Sequence, residues 1–294
     1  MRVTDRLRYM TMMQSLDRKA QDLQLRNEIA VTGRKINRPS QGAAGYATAL
    51  TNTARMEQLE GRAEAIQRSR GDLSLAESSL AGAGDILKRA RELATQMADG
   101  TYSAADRAVA AQEVASLRDQ LRGYANAQGS RGYLFAGTAT DTEPFDPAGN
   151  FVANDQTMGV TVADGITAPA NVSGAVAFAG ANGGRDVLAD LANLEAMLLA
   201  DNQAGVQASI DDLDAGHQQI QDVRAEAGIT LDRLGAAGGV LDGALVTARE
   251  AIADVAEADP VRAFSDLARA QGAYQESLQV ASNLLKMATA IQRF

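Results

Sequence analysis

The sequence predicts a mainly α protein: an elongated helical bundle or coiled coil with one small β-containing insert, in which the terminal helices pair. Three observations carry this prediction. Hydrophobic residues make up 46% of the 294-residue chain but aromatic residues only 4%, with no tryptophan. Alanine supplies much of the difference; it favours helix but buries little area, so apolar surface is spread along helices and not gathered into one thick core. The five prolines stand at 39, 144, 147, 169 and 260, which leaves two long stretches free of the residue that most strongly breaks a helix. Within the first stretch, Leu59, Ile66, Leu73, Leu80, Leu87 and Ala94 recur at strict seven-residue intervals, with Ser69, Ala76, Ala83, Ala90 and Met97 at the intervening three-four positions. That is a coiled-coil seam with small residues on alternate layers.

From the N-terminus, Leu16, Ala20, Leu23, Asn27 and Ala30 give an amphipathic helix that Gly33 can end. The long heptad helix follows and stops at Asp99-Gly100. Ser103, with Asp106 three residues on, restarts a helix in the manner of a capping box. Ala110, Val114, Leu117, Leu121, Tyr124 and Gln128 keep the three-four spacing there, so this helix is expected to fold back antiparallel on the first as a helical hairpin. Between Thr138 and Gly184 glycines and three prolines accumulate, and the run Met158-Gly159-Val160-Thr161-Val162 alternates; short strands and turns are expected. Helical spacing returns after the N-cap candidate Asp186 with Val187, Leu188, Leu191, Leu194 and Leu198. It continues from about Gly205 to Glu257 through Ile220, Leu231, Leu234, Leu241, Leu245, Ile252 and Val255, although glycines at 228, 235, 238, 239 and 243 weaken a continuous helix. Asp259-Pro260 reads as N-cap and first helical residue. The last helix then runs Phe264, Leu267, Gln271, Tyr274, Leu278, Ala281, Leu285 and Ala288, and its natural partner is the N-terminal helix.

The expected domains are therefore a terminal helical assembly domain (1–38 and 260–294), a helical bundle (39–137 and 186–259) and the β-containing insert (138–185). A lone pair of helices is marginal in water, so the terminal helices are expected to be partly disordered in the monomer and to order on assembly. The assembly interface is assigned to Leu16, Leu23, Phe264, Leu267, Tyr274, Leu278 and Leu285. Burying such side chains is worth about 1.5–3 kcal/mol for each large one before entropy is subtracted.

Charge and chemistry narrow the function. The net charge of -9 divides unevenly: residues 1–38 hold nine Lys/Arg against four Asp/Glu and 260–294 hold four against two, leaving an acidic body. The basic residues of the N-terminal segment are interleaved with acids and heptad positions, with few aromatics to stack on bases, so nucleic acid is not an expected partner. No run reaches the roughly 18 apolar residues of a membrane span, and membrane insertion and a cleaved secretory signal are not expected. Cysteine is absent, which removes thiolate chemistry and disulfides. The one histidine, His217, follows Asp214 by three residues; a carboxylate-bridged di-metal bundle needs two such units, and a solvated surface pair is the simpler reading. Gly82-Ala83-Gly84 and Gly180-Ala181-Asn182-Gly183-Gly184 lack the complete phosphate-loop patterns and read as tight packing and a turn. Met10, Met12 and Met13 read as adaptable packing. No catalytic residue, cofactor or metal site is expected, and the function is structural, not enzymatic.

Three stretches carry a resemblance to a known family. Thr32-Gly33-Arg34-Lys35-Ile36-Asn37-Arg38-Pro39-Ser40, after the opening Met1-Arg2-Val3-Thr4, is similar to the TGKRIN-x-PSDDPA segment of bacterial flagellins and their junction proteins. Arg91-Glu92-Leu93-Ala94 is followed by Asp99-Gly100-Thr101-Tyr102-Ser103 and Asp106-Arg107. Gly132-Tyr133-Leu134-Phe135-Ala136-Gly137-Thr138 with Thr142-Glu143-Pro144-Phe145 resembles the YLF-x-G-x-x-T-x-x-PF segment of the hook-associated protein 3 branch of the flagellin superfamily. The chain departs from the first pattern at Gln41-Gly42-Ala43-Ala44. The resemblance implies a flagellin-like fold and a subunit of the hook–filament junction, exported through the flagellar type III apparatus without a cleaved signal. It also implies partners: the other hook-associated junction protein, flagellin, further copies of the chain in a ring, and an export chaperone at the C-terminal region. A flagellin filament subunit is the near alternative, and a cytoplasmic coiled-coil signalling protein the distant one.

Overall fold

The computed structural model describes residues 2–291, the side chains of 2–6, 285 and 287–291 excepted. Its elements in order are α1 (Arg2–Thr32), α2 (Ala43–Met97), α3 (Ala104–Ala125), β1 (Gln128–Gly129), β2 (Gly132–Tyr133), β3 (Gly159–Ala163), β4 (Ile166–Pro169), α4 (Gly174–Phe178), α5 (Val187–Leu199), α6 (Gln203–Ala256) and α7 (Pro260–Ile291). This is the mainly α architecture expected, with small two-stranded sheets. No described helix is long and apolar enough to cross a membrane. The chain falls into two compact units, residues 1–58 with 244–294 and residues 59–243, and α2 and α6 contribute to both.

The unit of residues 59–243 is built on α2, α3, α5 and α6. Every member of the α2 seam, from Leu59 through Ile66, Leu73, Leu80 and Leu87 to Ala94, is buried, and so are Ser69, Ala76, Ala83, Ala90 and Met97 between them. The heptad thus marks the real core face. α3 returns antiparallel: Ser103 caps it by accepting from the Asp106 N–H while Asp106 accepts from the Ser103 N–H, and the Arg89–Glu113 pair at 2.7 Å closes the hairpin. Gly82 lets the Tyr124 ring lie close against α2, since a Cβ there would lie 2.5 Å from that ring. α3 ends at Ala125, so Gln128 is not part of its seam as expected; it pairs with Tyr133 across the β1–β2 turn. α6 runs antiparallel to α2, with Arg224 on Glu77 at 2.6 Å, and its glycines leave it a single 54-residue helix. Gly228, Gly239 and Gly243 have no neighbour within reach of a Cβ; tertiary contacts made by the intervening Leu234 and Leu241, both buried, outweigh their poor helix propensity.

The expected strands form a β3–β4 hairpin pairing Gly159 with Pro169 and Val160 with Ala168. The remainder of the insert packs on phenylalanines. Phe178 from α4 meets Phe135 edge-on at 5.2 Å and Phe145 at 5.8 Å, and all three are fully buried. Asn126, capping α3, donates to the Phe145 carbonyl and accepts from its N–H, which ties the insert to the end of the hairpin.

The unit of residues 1–58 and 244–294 centres on the pairing of α1 with α7. Gly33 ends α1 with φ +68°, its N–H donating to the Ile29 carbonyl, a conformation glycine adopts without strain. The chain then meets the α6–α7 junction in an antiparallel bridge: the Lys35 N–H donates to the Ala256 carbonyl at 2.7 Å and the Ala258 N–H to the Gly33 carbonyl at 2.8 Å. At Gln41, where the chain departs from the flagellin pattern, the amide oxygen accepts from the Asn37 and Arg38 N–H groups, so the side chain still supplies the acceptor that closes this turn.

Candidate assembly interface

Between α1 and α7 the contact line is small. Ala263, Ala270 and Ala281 are buried, Leu267, Ala273, Tyr274 and Ser277 are half-buried, and across from them Leu16, Ala20, Leu23 and Ala30 are half-buried. Arg26 reaches from α1 to Asp266 of α7 at 3.4 Å and back to Asp22 at 3.3 Å, fixing an antiparallel register together with the Arg34–Glu257 bridge.

The assigned residues divide. Leu16, Leu23, Leu267 and Tyr274 flank this line. Phe264 and Leu278 do not: they stay 61% and 42% exposed. Leu285 lies outside the described side chains. The physical reason for the shift is that two overlapping seven-residue lines run along α7, one through Ala263, Ala270 and Ser277 and one through Phe264, Gln271 and Leu278; small side chains let helix axes approach closely, so the alanine line turns inward and the bulky line is left at the flank. Val261, Val280 and Leu284 on α7 and Leu7, Tyr9, Met10, Met13 and Val31 on α1 are exposed as well. Among the described residues Leu245 is the only apolar side chain larger than alanine that this unit buries. Exposed large apolar groups at this density mark a surface suited to covering by other chains.

His217 and Asp214 are not a pair: the His217 Nδ1 sits 3.2 Å from the Gly84 carbonyl oxygen, between α6 and α2, while Asp214 is taken by Arg91. His217 is thus half-buried between helices while Asp214 stays on the surface in an exposed ion pair with Arg91, so the two do not form the solvated pair expected. Among the described residues no group of three or more His, Cys, Asp or Glu side chains could hold a metal ion.

Two buried polar clusters were not anticipated. Arg107, almost fully buried, donates to the Met97 and Asp99 carbonyls at 3.0 and 3.1 Å and to Asp201 at 2.7 Å. It satisfies carbonyls left open at the end of α2 and ties the α2–α3 turn to the α5–α6 turn. Asp72, buried on α2, accepts from the Ser130 N–H and hydroxyl and from Arg131 Nε, each at 2.8 Å, and Arg131 also donates to the Ala170 carbonyl. Burial alone would push the Asp72 carboxyl up, but the hydrogen bonds from Arg131 and Ser130 prevail and hold it below the usual carboxylate value. In the sequence Asp72, Asp201 and Arg131 carry no motif that sets them apart; only Arg107 had a signal, its place in the Asp106-Arg107 stretch.

Residues 3–140 match the family of the bacterial flagellin N-terminal helical region. Flagellar hook-associated protein 3 of Salmonella typhimurium is 29% identical over 149 residues, half of this chain and 47% of that protein, and its Escherichia coli counterpart is 28% identical over 160 residues, 54% of this chain and 50% of that protein. The chain thus spans about half the length of the curated relatives it matches. Among solved structures, a flagellar hook-associated protein from Vibrio parahaemolyticus superposes with a TM-score of 0.67 at 24% identity, over 74% of this chain and all of that one. Flagellar hook associated protein-3 from Legionella pneumophila gives 0.61 at 15% identity, over 70% and 98%. Over residues 3–140 the chain is thus similar to the bacterial flagellin N-terminal helical region, and its fold is similar to that of flagellar hook-associated proteins.

Proposed function

We propose that this chain is a non-enzymatic structural subunit of the bacterial flagellum that joins hook to filament, assembling through α1 and α7. The observation that carries the reading is the composition of that helix pair: alanines on the inner line and Phe264, Leu278, Val280 and Leu284 turned outward. One copy cannot cover these side chains, whereas neighbouring copies and axial partners can. In this reading the chain forms a ring with itself and contacts flagellin on one side and the other hook-associated junction protein on the other. It reaches that position outside the cell through the flagellar type III apparatus, held beforehand by an export chaperone at its C-terminal region. The absence of cysteine suits passage in an unfolded state, because no crosslink has to be opened. Similarity to hook-associated proteins 3 supports the junction over the filament, and the folded insert between α3 and α5 speaks against a plain signalling coiled coil.

Cryo-electron microscopy of flagella from the source bacterium, with an antibody against residues 145–180 as the locator, tests this. The expected result is label confined to a band between hook and filament. Label along the whole filament makes the chain a flagellin, and flagella without label overturn the flagellar reading.

A further inference from the structure

The outward face of α1 carries two thioethers. Met10 and Met13 are 55% and 40% exposed, one helical turn apart and so on neighbouring positions of the same side, beside exposed Leu7 and Tyr9. They differ from the other methionines whose side chains are described: Met12, Met56, Met158 and Met197 are half-buried and Met97 is buried. Because the chain has no cysteine, thioethers are its only oxidisable sulfur groups.

We propose that Met10 and Met13 are a peroxide-sensitive modification site, open in the free chain and shielded when α1 is covered by neighbouring chains; the shielding rests on the assembly reading above, the site itself does not. In the reaction the sulfur attacks one oxygen of hydrogen peroxide, the O–O bond breaks, and a sulfoxide and water result; sulfur loses two electrons and the peroxide gains them. Each event replaces a flexible apolar side chain with a polar one. On a surface whose neighbours are Leu7 and Tyr9, that polar group would have to be desolvated wherever another chain covers it. Oxidation before assembly therefore weakens incorporation, and assembly before oxidation protects the sulfur.

The test maps sulfoxides by mass spectrometry after hydrogen peroxide treatment of the purified full chain and, separately, of isolated flagella. In the purified chain Met10 and Met13 should oxidise about tenfold or more faster than Met97, since susceptibility follows exposure. In flagella both should be protected relative to the free chain. Equal rates at Met10, Met13 and Met97 in the free chain overturn the site. Rapid oxidation of Met10 and Met13 in flagella that contain the chain overturns the shielding and leaves the junction reading standing. Flagella that lack the chain overturn the junction reading and the shielding with it, while the free-chain rates alone decide the site. Met10→Leu/Met13→Leu, which conserves bulk and removes the sulfur, should incorporate normally after peroxide treatment where the treated wild type does not; equal incorporation of the two overturns the claim that oxidation weakens assembly.

Discussion

In the unit of residues 59–243 the three-four line of α2 vanishes from solvent from Leu59 to Met97, and α5, packed on α3, buries Val187, Leu188, Leu191, Leu194 and Leu198. In the unit of residues 1–58 and 244–294 a line of the same spacing on α7 leaves Phe264 and Leu278 outside, and the buried positions are nearly all alanine. The difference teaches that heptad spacing specifies a helix and a face but not how much of that face one copy can cover. Four helices around a centre bury large side chains from every direction, whereas the α1–α7 pair offers one seam per helix. Fully burying a leucine or phenylalanine is worth about 1.5–3 kcal/mol, so the first unit is held largely by its own core. The second leaves much of its apolar surface exposed, which in the proposed assembly other chains would cover.

The contrast can be broken most directly by hydrogen exchange on dilute protein. Amides of residues 10–30 and 265–284 should be protected about a hundredfold less than those of 60–95, because local opening ranges from near zero cost up to the global stability; equal protection would show that the helix pair is self-sufficient. Next in size is Leu87→Ala in the core of the larger unit. Leu87 is fully buried, so a loss of about 2–5 kcal/mol is expected in chemical unfolding, and a loss under 1 kcal/mol would mean that the site collapses around the cavity.

A smaller effect is expected at Asp72. Its carboxyl is held below the ordinary value of 3.8 in the folded chain, so the unfolded chain takes up the proton at higher pH than the folded one. The contribution is full above the ordinary value and drains as pH falls through the depressed folded one. Asp72→Asn should lower stability at neutral pH and flatten the decline below about pH 4; an unchanged acid limb would show that other carboxylates carry it. Least of all should Leu278→Asp change the folded monomer, about 0.5 kcal/mol or less as for other exposed sites, while blocking incorporation into flagella. Normal incorporation of that variant would remove the exposed α7 face from the assembly.

Much of this was legible in the residues. The α2 seam, the Ser103–Asp106 cap, the Asp186 N-cap, the alternating strand at Val160 and the helix start at Pro260 each follow from local chemistry that acts over a few residues. The pattern on α7 was legible as a helix but not as a facing, because Ala263 and Phe264 head lines of identical spacing and only the approach of α1 selects the smaller. Gln128 misled for a related reason: it continues the spacing of α3, yet the β1–β2 turn claims it.

What the sequence by itself determined, then, is the set of helices, their faces, the place of the insert and the lack of thiol chemistry, since these follow from period, propensity and composition. Tertiary structure alone decided which face of α7 turns inward, that Asp72 and Arg107 are buried and satisfied, and that Asp214 belongs to Arg91 and not to His217. Those outcomes depend on partners distant in the chain, and spacing along one helix carries no information about which distant group will arrive beside it.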